Sequence, residues 1–270
     1  MPRFGPHPER RPVLVAGGSS GIGAATGVML AAAGYPVALG ARRLEKCQEH
    51  VDRIVDAGGE AVAVSLDVTD PASIDDCVLK AEAALGEIEV VVSGAGDMSP
   101  GRTYEVSTDE FAAQVNIHLT GAQRLYRRIV PEMMRRLRGD FVFISSDIAA
   151  DTRPHMGSYA AAKAGLEAFA HTAQMEVEGS GVRVSLVRPG QTLTGMGMNV
   201  DPDVTTAMLT DWGPFGFARH GNFMKPEHLA TAITAVVGMP RGAHMRLVEV
   251  EAEAPLPRTP RPATDTGETR

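Results

Sequence analysis

The 270-residue chain is short of several things, and each shortage closes off a class of function. Cysteine is nearly absent: Cys47 and Cys77 each fall inside a stretch read as helix. They make no metal-ligand spacing, so no metal is expected, and two isolated thiols suit a reducing compartment, hence a cytoplasmic location. No apolar run approaches the roughly 18 residues of a membrane span, so no membrane partner is expected. Positive charge is in the minority. With 26 Lys and Arg against 33 Asp and Glu, the net charge is −7 and offers no basic field to nucleic acid. The run Arg135-Arg136-Leu137-Arg138 reads as the solvated end of a helix. The opening MPRFGPHPERRP lacks the apolar core of a secretory signal, and residues 1–11 read as a flexible polar arm. Residues 253–270, rich in Pro, Thr and charge, read as a disordered tail. The composition, 44% hydrophobic and 22% charged, is that of an ordinary globular chain, so residues 12–252 are read as one domain with a sizeable core.

Within 12–252, short apolar runs alternate with longer amphipathic ones. Strands are expected at 13–16, 36–40, 61–66, 88–93, 141–145, 182–187 and 246–250. Helices are expected at 24–33, from Arg43 to about 57, and at 70–85, where Asp70-Pro71 has the form of an N-cap followed by proline at the first helical position. The capping box Ser107-x-x-Glu110 opens another, with Phe111, Val115, Leu119, Ala122 and Tyr126 on one stripe, running to the Pro131 region. Two more are expected, through Tyr159 to about 178 and from 226 to 237. That rhythm defines an α/β, Rossmann-type doubly wound parallel sheet in a single domain. The segment 191–224 stands apart. It holds Met196, Met198, Met208, Met224, Trp212, Phe215, Phe217 and Phe223 without clear periodicity. It is read as a substrate loop or lid suited to a greasy substrate or an interface, against the alternative that it only covers the core.

Two stretches carry chemistry. The first is Gly17-Gly18-Ser19-Ser20-Gly21-Ile22-Gly23, between an expected strand and an expected helix. A glycine turn alone can be a plain turn. In this position it presents backbone N–H groups and a helix N-terminus to a pyrophosphate. At the end of the second strand, where such sheets read the adenosine ribose, residues 36–44 contain no Asp or Glu but carry Arg42 and Arg43. A carboxylate there favours a free 2′-hydroxyl and an arginine a 2′-phosphate, so NADP(H) is expected over NAD(H). The second stretch is Tyr159-Ala-Ala-Ala-Lys163. Residues four apart on a helix share a face, and the ammonium is expected to lower the phenol pKa. Ser146 lies thirteen residues upstream, where the fifth strand ends. Asn116, inside the helix opened by Ser107, reads from composition alone as an exposed polar residue.

From about residue 12 to 250 the chain resembles the short-chain dehydrogenases/reductases, in their shorter single-domain branch. The resemblance rests on the turn at 16–23, on Asp67-Val68, on Ser93 to Gly96, on Asn116, Ser146, Tyr159 and Lys163, and on Pro189-Gly190 with Thr194. It implies a dinucleotide held by Gly17, Ser19, Ser20, Gly21, Ile22, Gly23, Arg42 and Arg43. Asp67 and Val68 would contact the adenine. Ser93, Gly94 and Ala95 would border the cofactor, and Pro189, Gly190 and Thr194 would hold the nicotinamide carboxamide. It also implies four catalytic residues. Tyr159 would be the general acid or base. Lys163 would tune it and hold the nicotinamide ribose, Ser146 would donate to the substrate oxygen, and Asn116 would hold a water linking Lys163 to solvent. Asp97, Asp147 and His155 fall beside motif positions and are left out of the catalytic set.

There are departures. Ala16 stands for the usual Thr, Ser93-Gly94 for an Asn pair, and Ser20 for a basic residue found in some NADP-preferring members. The C-terminal strand lacks the glycine-rich ending of many members. The expected activity is hydride transfer between NADP(H) and an apolar carbonyl or secondary alcohol, by a homodimer or homotetramer. The alternatives are a 3-oxoacyl thioester reductase and a non-catalytic dinucleotide-binding regulator. The intact acid–base set argues against the regulator.

Overall fold

The structure, a computed structural model, describes residues 5–196, 200–216 and 220–256. The first four residues of the expected arm, Met198, Phe217 and the tail from 257 lie outside the described residues. Seven parallel strands form one sheet in the order β3-β2-β1-β4-β5-β6-β7. They are β1 (Val13–Ala16), β2 (Val37–Ala41), β3 (Ala61–Ser65), β4 (Val90–Ser93), β5 (Gly139–Ile144), β6 (Val182–Pro189) and β7 (Leu247–Val250). The central strands are buried on both faces, which is why β1, Val-Leu-Val-Ala, shows no alternation of polar and apolar residues. Helices α1 (Gly21–Ala32), α2 (Leu44–Asp56) and α8 (Pro226–Gly238) cover one face, where Leu30, Val51, Ile54, Leu229 and Ile233 meet the sheet. Helices α3 (Pro71–Leu85), α5 (Gly121–Arg135) and α6 (Gly157–Glu176) cover the other, around Phe141 and Phe143.

Local signals are honoured where they were strongest. Asp70 accepts from the Ala72 amide with Pro71 in the first turn, and Ser107 and Glu110 exchange both capping hydrogen bonds at the start of α4 (Thr108–Val115). Two expectations are revised. The helix after Ser107 does not keep its 3.6-residue period. A π-helical turn, Asn116–Thr120, separates α4 from α5. An i→i+5 turn admits extra residues per revolution and rotates everything beyond it. Accordingly Gln114, His118 and Leu125 are buried, whereas Phe111, the first residue of the expected stripe, is exposed. Nor is the segment 191–224 structureless, since it contains α7 (Pro202–Trp212), capped by Asp201.

The expected arm is tied down from residue 7 onward. His7 Nε2 lies 2.9 Å from the Met239 carbonyl, and Arg10 pairs with Glu60. Arg11 reaches the N-terminal edge of the sheet, where Asp140 receives both Arg11 and Arg183. All three are buried.

Because every strand runs the same way, all C-terminal ends open on one edge. Register places Ala16 beside both Gly40 and Ser93, and Ser93 beside Phe143. Strand order reverses between β1 and β4, and the crevice there is where open α/β sheets take ligands.

Candidate active site

The glycine turn leaves β1 with Gly17 at φ +94° and Gly21 at φ +55°, a region in which side chains are strained. A Cβ on Gly23 would collide with the Gly17 carbonyl, and one on Gly17 would lie 2.9 Å from the Gly94 backbone. The first and fourth strand ends therefore meet backbone to backbone. The Gly94 amide donates to the Ala16 carbonyl at 3.0 Å, bracing the two strands without the side chains missing at Ala16 and Gly94. Ser20, the residue before α1, makes no side-chain cap, and the first turn of α1 carries no carboxylate. Its leading amides and the positive end of its dipole are thus left for an anion. Ile22 packs into the core beneath the turn. This narrow, side-chain-free cradle fits the pyrophosphate of a dinucleotide.

Around the cradle, Arg43 Nη2 donates to Ser19 Oγ at 3.1 Å and to Ser20 Oγ at 2.9 Å. Arg42 is exposed, and its charge helps hold the Asp67 carboxyl below its usual range, after the hydrogen bonds from Thr69. Val68 packs under Gly121. Ser93 is buried at the end of β4. Pro189 ends β6, and the Gly190 amide donates to the Val250 carbonyl. A Cβ on Gly21 would lie 3.1 Å from Thr194 Cβ, so Thr194 closes the cradle from above.

At the end of β5, Ser146, Tyr159 and Lys163 come together. Lys163 is buried, donates to the Ile144 carbonyl at 2.8 Å, and lies 5.6 Å from the centre of the Tyr159 ring. Behind it, Glu167 accepts from Ser145 at 2.6 Å and pairs with Arg188 at 2.6 Å. Tyr159 packs with Ile148, Met156 and Met208, with Met98 and Trp212 at the rim. Ser146 donates to Asp147 Oδ1 at 2.9 Å, and Arg153 pairs with the other oxygen of Asp147. Burial pushes the Tyr159 phenol up to about 12, against the hydrogen bond with Ser146, which lowers it. This revises the expectation that Lys163 lowers it. Burial also pushes Lys163 down, to about 8. The phenol is therefore protonated at neutral pH.

The Lys163 shift has a consequence for stability. Between about pH 8 and the ordinary value of 10.5, the unfolded chain binds a proton at Lys163 that the folded chain does not. Stability from this group therefore rises with pH across that window, and the penalty of burying the charge is complete below it. Lys163→Met is expected to flatten this rise and to stabilise the protein at pH 7. Urea unfolding at pH 7, 8 and 9 checks both points.

The Asn116 side chain turns to Arg124. Its Oδ1 accepts from Arg124 Nη1 at 2.8 Å, and the same arginine nitrogen lies 3.4 Å from the Val68 carbonyl. The π-helical turn instead aims His118 inward. Its ring stands edge-on to Tyr159 with centroids 4.9 Å apart, and its Nε2 lies 2.6 Å from the Asp97 carbonyl. Burial, then the charge of Lys163, pushes the imidazole down to about 3. Sequence reasoning missed His118 because a uniform helical period does not reveal a π turn. It also set aside Asp147, which holds the Ser146 hydroxyl.

Beside Ser146 and Asp147 is a cavity of about 260 Å³, lined by Asp147, Asp151, Arg153, Gln191, His220 and Glu251 among others. Its wall is polar. Of the apolar residues expected to form a greasy pocket, Met224 is buried in the core, Phe215 and Phe223 are exposed, and Met208 and Trp212 back Tyr159. Among the described residues no cluster could hold a metal ion, and no helix is long and apolar enough to cross a membrane.

The fold and the edge-gathered Ser–Tyr–Lys group define a dinucleotide-dependent oxidoreductase, and comparison with known proteins names the family. The short chain dehydrogenase family model matches residues 11–205, and the chain belongs to that family. It is 29% identical over 233 residues to the 2,3-dihydro-2,3-dihydroxybenzoate dehydrogenase of Bacillus subtilis, covering 85% of this chain and 89% of that protein. It is 31% identical over 201 residues to the 3-oxoacyl-[acyl-carrier-protein] reductase of Escherichia coli, covering 74% and 81%. It is also 32% identical over 239 residues to the glycine betaine reductase of Emericella nidulans. That match takes 88% of this chain but spans only 18% of the longer protein. Among solved structures, an alcohol dehydrogenase from Thermococcus sibiricus complexed with 5-hydroxy-NADP superposes with a TM-score of 0.79 at 25% identity, covering 93% of this chain and all of that one.

Proposed function

We propose that the protein transfers a hydride between NADP(H) and a carbonyl or secondary alcohol. The observation that carries this reading is the placement of the buried Tyr159 beside Ser146 and Lys163, on the sheet edge that also holds the glycine cradle. A nicotinamide dinucleotide, when bound, supplies the hydride. The chain supplies position and the proton. Tyr159, protonated at neutral pH, gives its proton to the developing alkoxide, and takes one back in the oxidising direction. Ser146, held by Asp147, turns its hydroxyl from that carboxylate to the substrate oxygen and stabilises charge as it develops. Lys163 spends one N–H on the Ile144 carbonyl, and its others would hold the ribose of the bound dinucleotide beside Tyr159. Met98, Met208 and Trp212 receive the carbon frame of the substrate, and the polar cavity beside Asp147 receives its polar substituents. A homodimer or homotetramer is the expected assembly, as the family resemblance implies.

The preference for NADP(H) rests on Arg43, which lies across Ser19 and Ser20, with Arg42 beside Asp67. A charge-assisted hydrogen bond contributes about 1.5–3 kcal/mol, so Arg43→Ala is expected to weaken NADPH about 10- to 100-fold and NADH little. Equal losses for the two cofactors would discard the 2′-phosphate reading. The functional reading itself is tested by a panel of ketones, 3-oxoacyl thioesters and secondary alcohols with both cofactors, following the absorbance of the reduced nicotinamide. Tight cofactor binding without turnover of any of them would turn the assignment towards a regulator.

A further inference from the structure

We infer that Glu167 is a positioning residue of the proposed acid–base site: its buried carboxylate ties together the chain segments that carry Ser146, Lys163 and Pro189-Gly190, and is the counter-charge that favours the Lys163 ammonium. The inference rests on the proposed roles of Ser146, Tyr159 and Lys163. It adds to them a residue that acts through others.

Lys163 and Glu167 are four apart on α6 and share one face of it. Both grip the end of β5. Lys163 donates to the Ile144 carbonyl at 2.8 Å, and Glu167 Oε1 accepts from the hydroxyl of the next residue, Ser145, at 2.6 Å. Ser146 follows directly. The same carboxylate takes both prongs of Arg188, Nε to Oε1 at 2.9 Å and Nη2 to Oε2 at 2.6 Å. Arg188 immediately precedes Pro189-Gly190, and its Nη1 reaches Glu249 on β7 at 3.1 Å. The Ser145 amide in turn donates to the Val187 carbonyl at 2.8 Å. One carboxylate thus fixes α6, the end of β5 and the end of β6 relative to one another.

Glu167 and Ser145 are buried. Burial works against a charge on Glu167, but the hydrogen bonds from Arg188 and Ser145 outweigh it and hold the carboxyl below its usual range. A buried ion pair adds little net stability over apolar residues of the same volume, so stability alone does not call for this one. What it provides is direction. A two-pronged guanidinium–carboxylate pair fixes orientation as well as distance, which an apolar contact does not.

The charge of Glu167 also acts on Lys163. Burial pushes the lysine down to about 8, and Glu167 opposes that push. The other charged and titratable groups around the two are Arg188 from β6 and His171 from α6, which favour the carboxylate, Tyr159 from α6, whose ring centre lies 5.6 Å from Lys163 Nζ, and His118 from the π-helical turn. Glu249 joins through Arg188. Arg188 tempers the carboxylate, so the two partners pull Lys163 in opposite directions. Without the charge of Glu167 the ammonium loses its support, and without Arg188 the carboxylate acts on it undiminished.

The test compares Glu167→Gln, which keeps the shape and loses the charge, with Arg188→Met, which keeps the carboxylate and removes its guanidinium. The chain's lysines are Lys46, Lys80, Lys163 and Lys225, so carbon-13 NMR of lysine-labelled, cofactor-free protein follows each one, with Lys163→Met to assign the signal. The Lys163 midpoint is expected near pH 8 in the wild type, lower in Glu167→Gln and higher in Arg188→Met. In turnover, Glu167→Gln is expected to lose about 10- to 100-fold in kcat, the scale of a displaced catalytic group, and its alkaline limb should move to lower pH. A Lys163 midpoint that neither variant moves, or that both move the same way, would overturn the inference, as would wild-type kcat and pH profile in Glu167→Gln. Should Glu167→Gln fail to fold, the direction of the midpoint in Arg188→Met decides alone. Tyr159→Phe is run alongside. Full activity in that variant would overturn the functional reading itself, whereas its inactivity beside unmoved Lys163 midpoints would remove the role of Glu167 alone.

Discussion

Tyr159→Phe is expected to bind NADPH as the wild type does and to lose about 100- to 10,000-fold in carbonyl turnover, the range that positioned acid–base catalysis contributes. The case for so large an effect rests on what the substitution leaves in place. The ring contacts with Ile148, Met156 and Met208 are apolar, and the edge-on contact with His118 needs only an aromatic ring. Phenylalanine preserves them, so the backbone of α6 and the position of Lys163 are kept. The phenolic proton alone is removed. Burial holds that proton on the oxygen, with the phenol pushed up to about 12 in the cofactor-free protein, so at neutral pH the residue begins each reduction as an acid. Steady-state reduction of whichever ketone the panel identifies, with NADPH titrated separately by fluorescence, checks both halves. Undiminished turnover would remove Tyr159 from the reaction.

The second large effect lies at the opposite edge of the sheet. Asp140 receives Arg11 from the start of the chain and Arg183 from the start of β6. Arg183 also donates to the Met239 and Ala243 carbonyls at 2.9 Å, just past the end of α8. All three ionic groups are less than 10% exposed. Asp140→Ala would leave two buried guanidinium groups facing each other with no counter-charge. Breaking a buried pair from one side costs about 3–5 kcal/mol, because the remaining charge stays desolvated. Removing Glu60, the exposed partner of Arg10, is the control and should cost no more than about 1 kcal/mol. Denaturant unfolding followed by circular dichroism measures both. A loss of under about 1 kcal/mol for Asp140→Ala would mean that water reaches the network and screens it.

These two effects fall on opposite sides of what the sequence made legible. Tyr159 and Lys163 could be read because an α-helix places residues four apart on one face whatever packs against it. The glycine turn could be read because its conformation excludes side chains locally, as Gly17 and Gly23 show. The strand–helix rhythm could be read because a parallel sheet buried on both faces demands continuous apolar runs such as Val90-Val91-Val92. In each case the signal and the structure it specifies lie within a few residues of each other.

The residues whose surroundings could not be read from sequence are those with partners far along the chain. His118 was passed over because the π-helical turn Asn116–Thr120, in which it lies, breaks the uniform helical period. Only the course of the chain after β2 decides that Arg43 is the guanidinium that reaches Ser19 and Ser20. The apolar residues of 191–224 left open a substrate lid, an interface or a cover for the core. Their destinations, the core for Met224 and the back of Tyr159 for Met208 and Trp212, are set by contacts with other elements.

By itself the sequence determined the parallel doubly wound sheet, the side-chain-free phosphate cradle and the Tyr159–Lys163 spacing, because each follows from backbone geometry within one strand, turn or helix. Only the tertiary structure decided that Arg43 crosses the glycine turn and that His118 lies against Tyr159. Those are matters of direction between elements. Direction is set by packing and by where buried polar atoms find partners, and neither can be read from residue spacing alone.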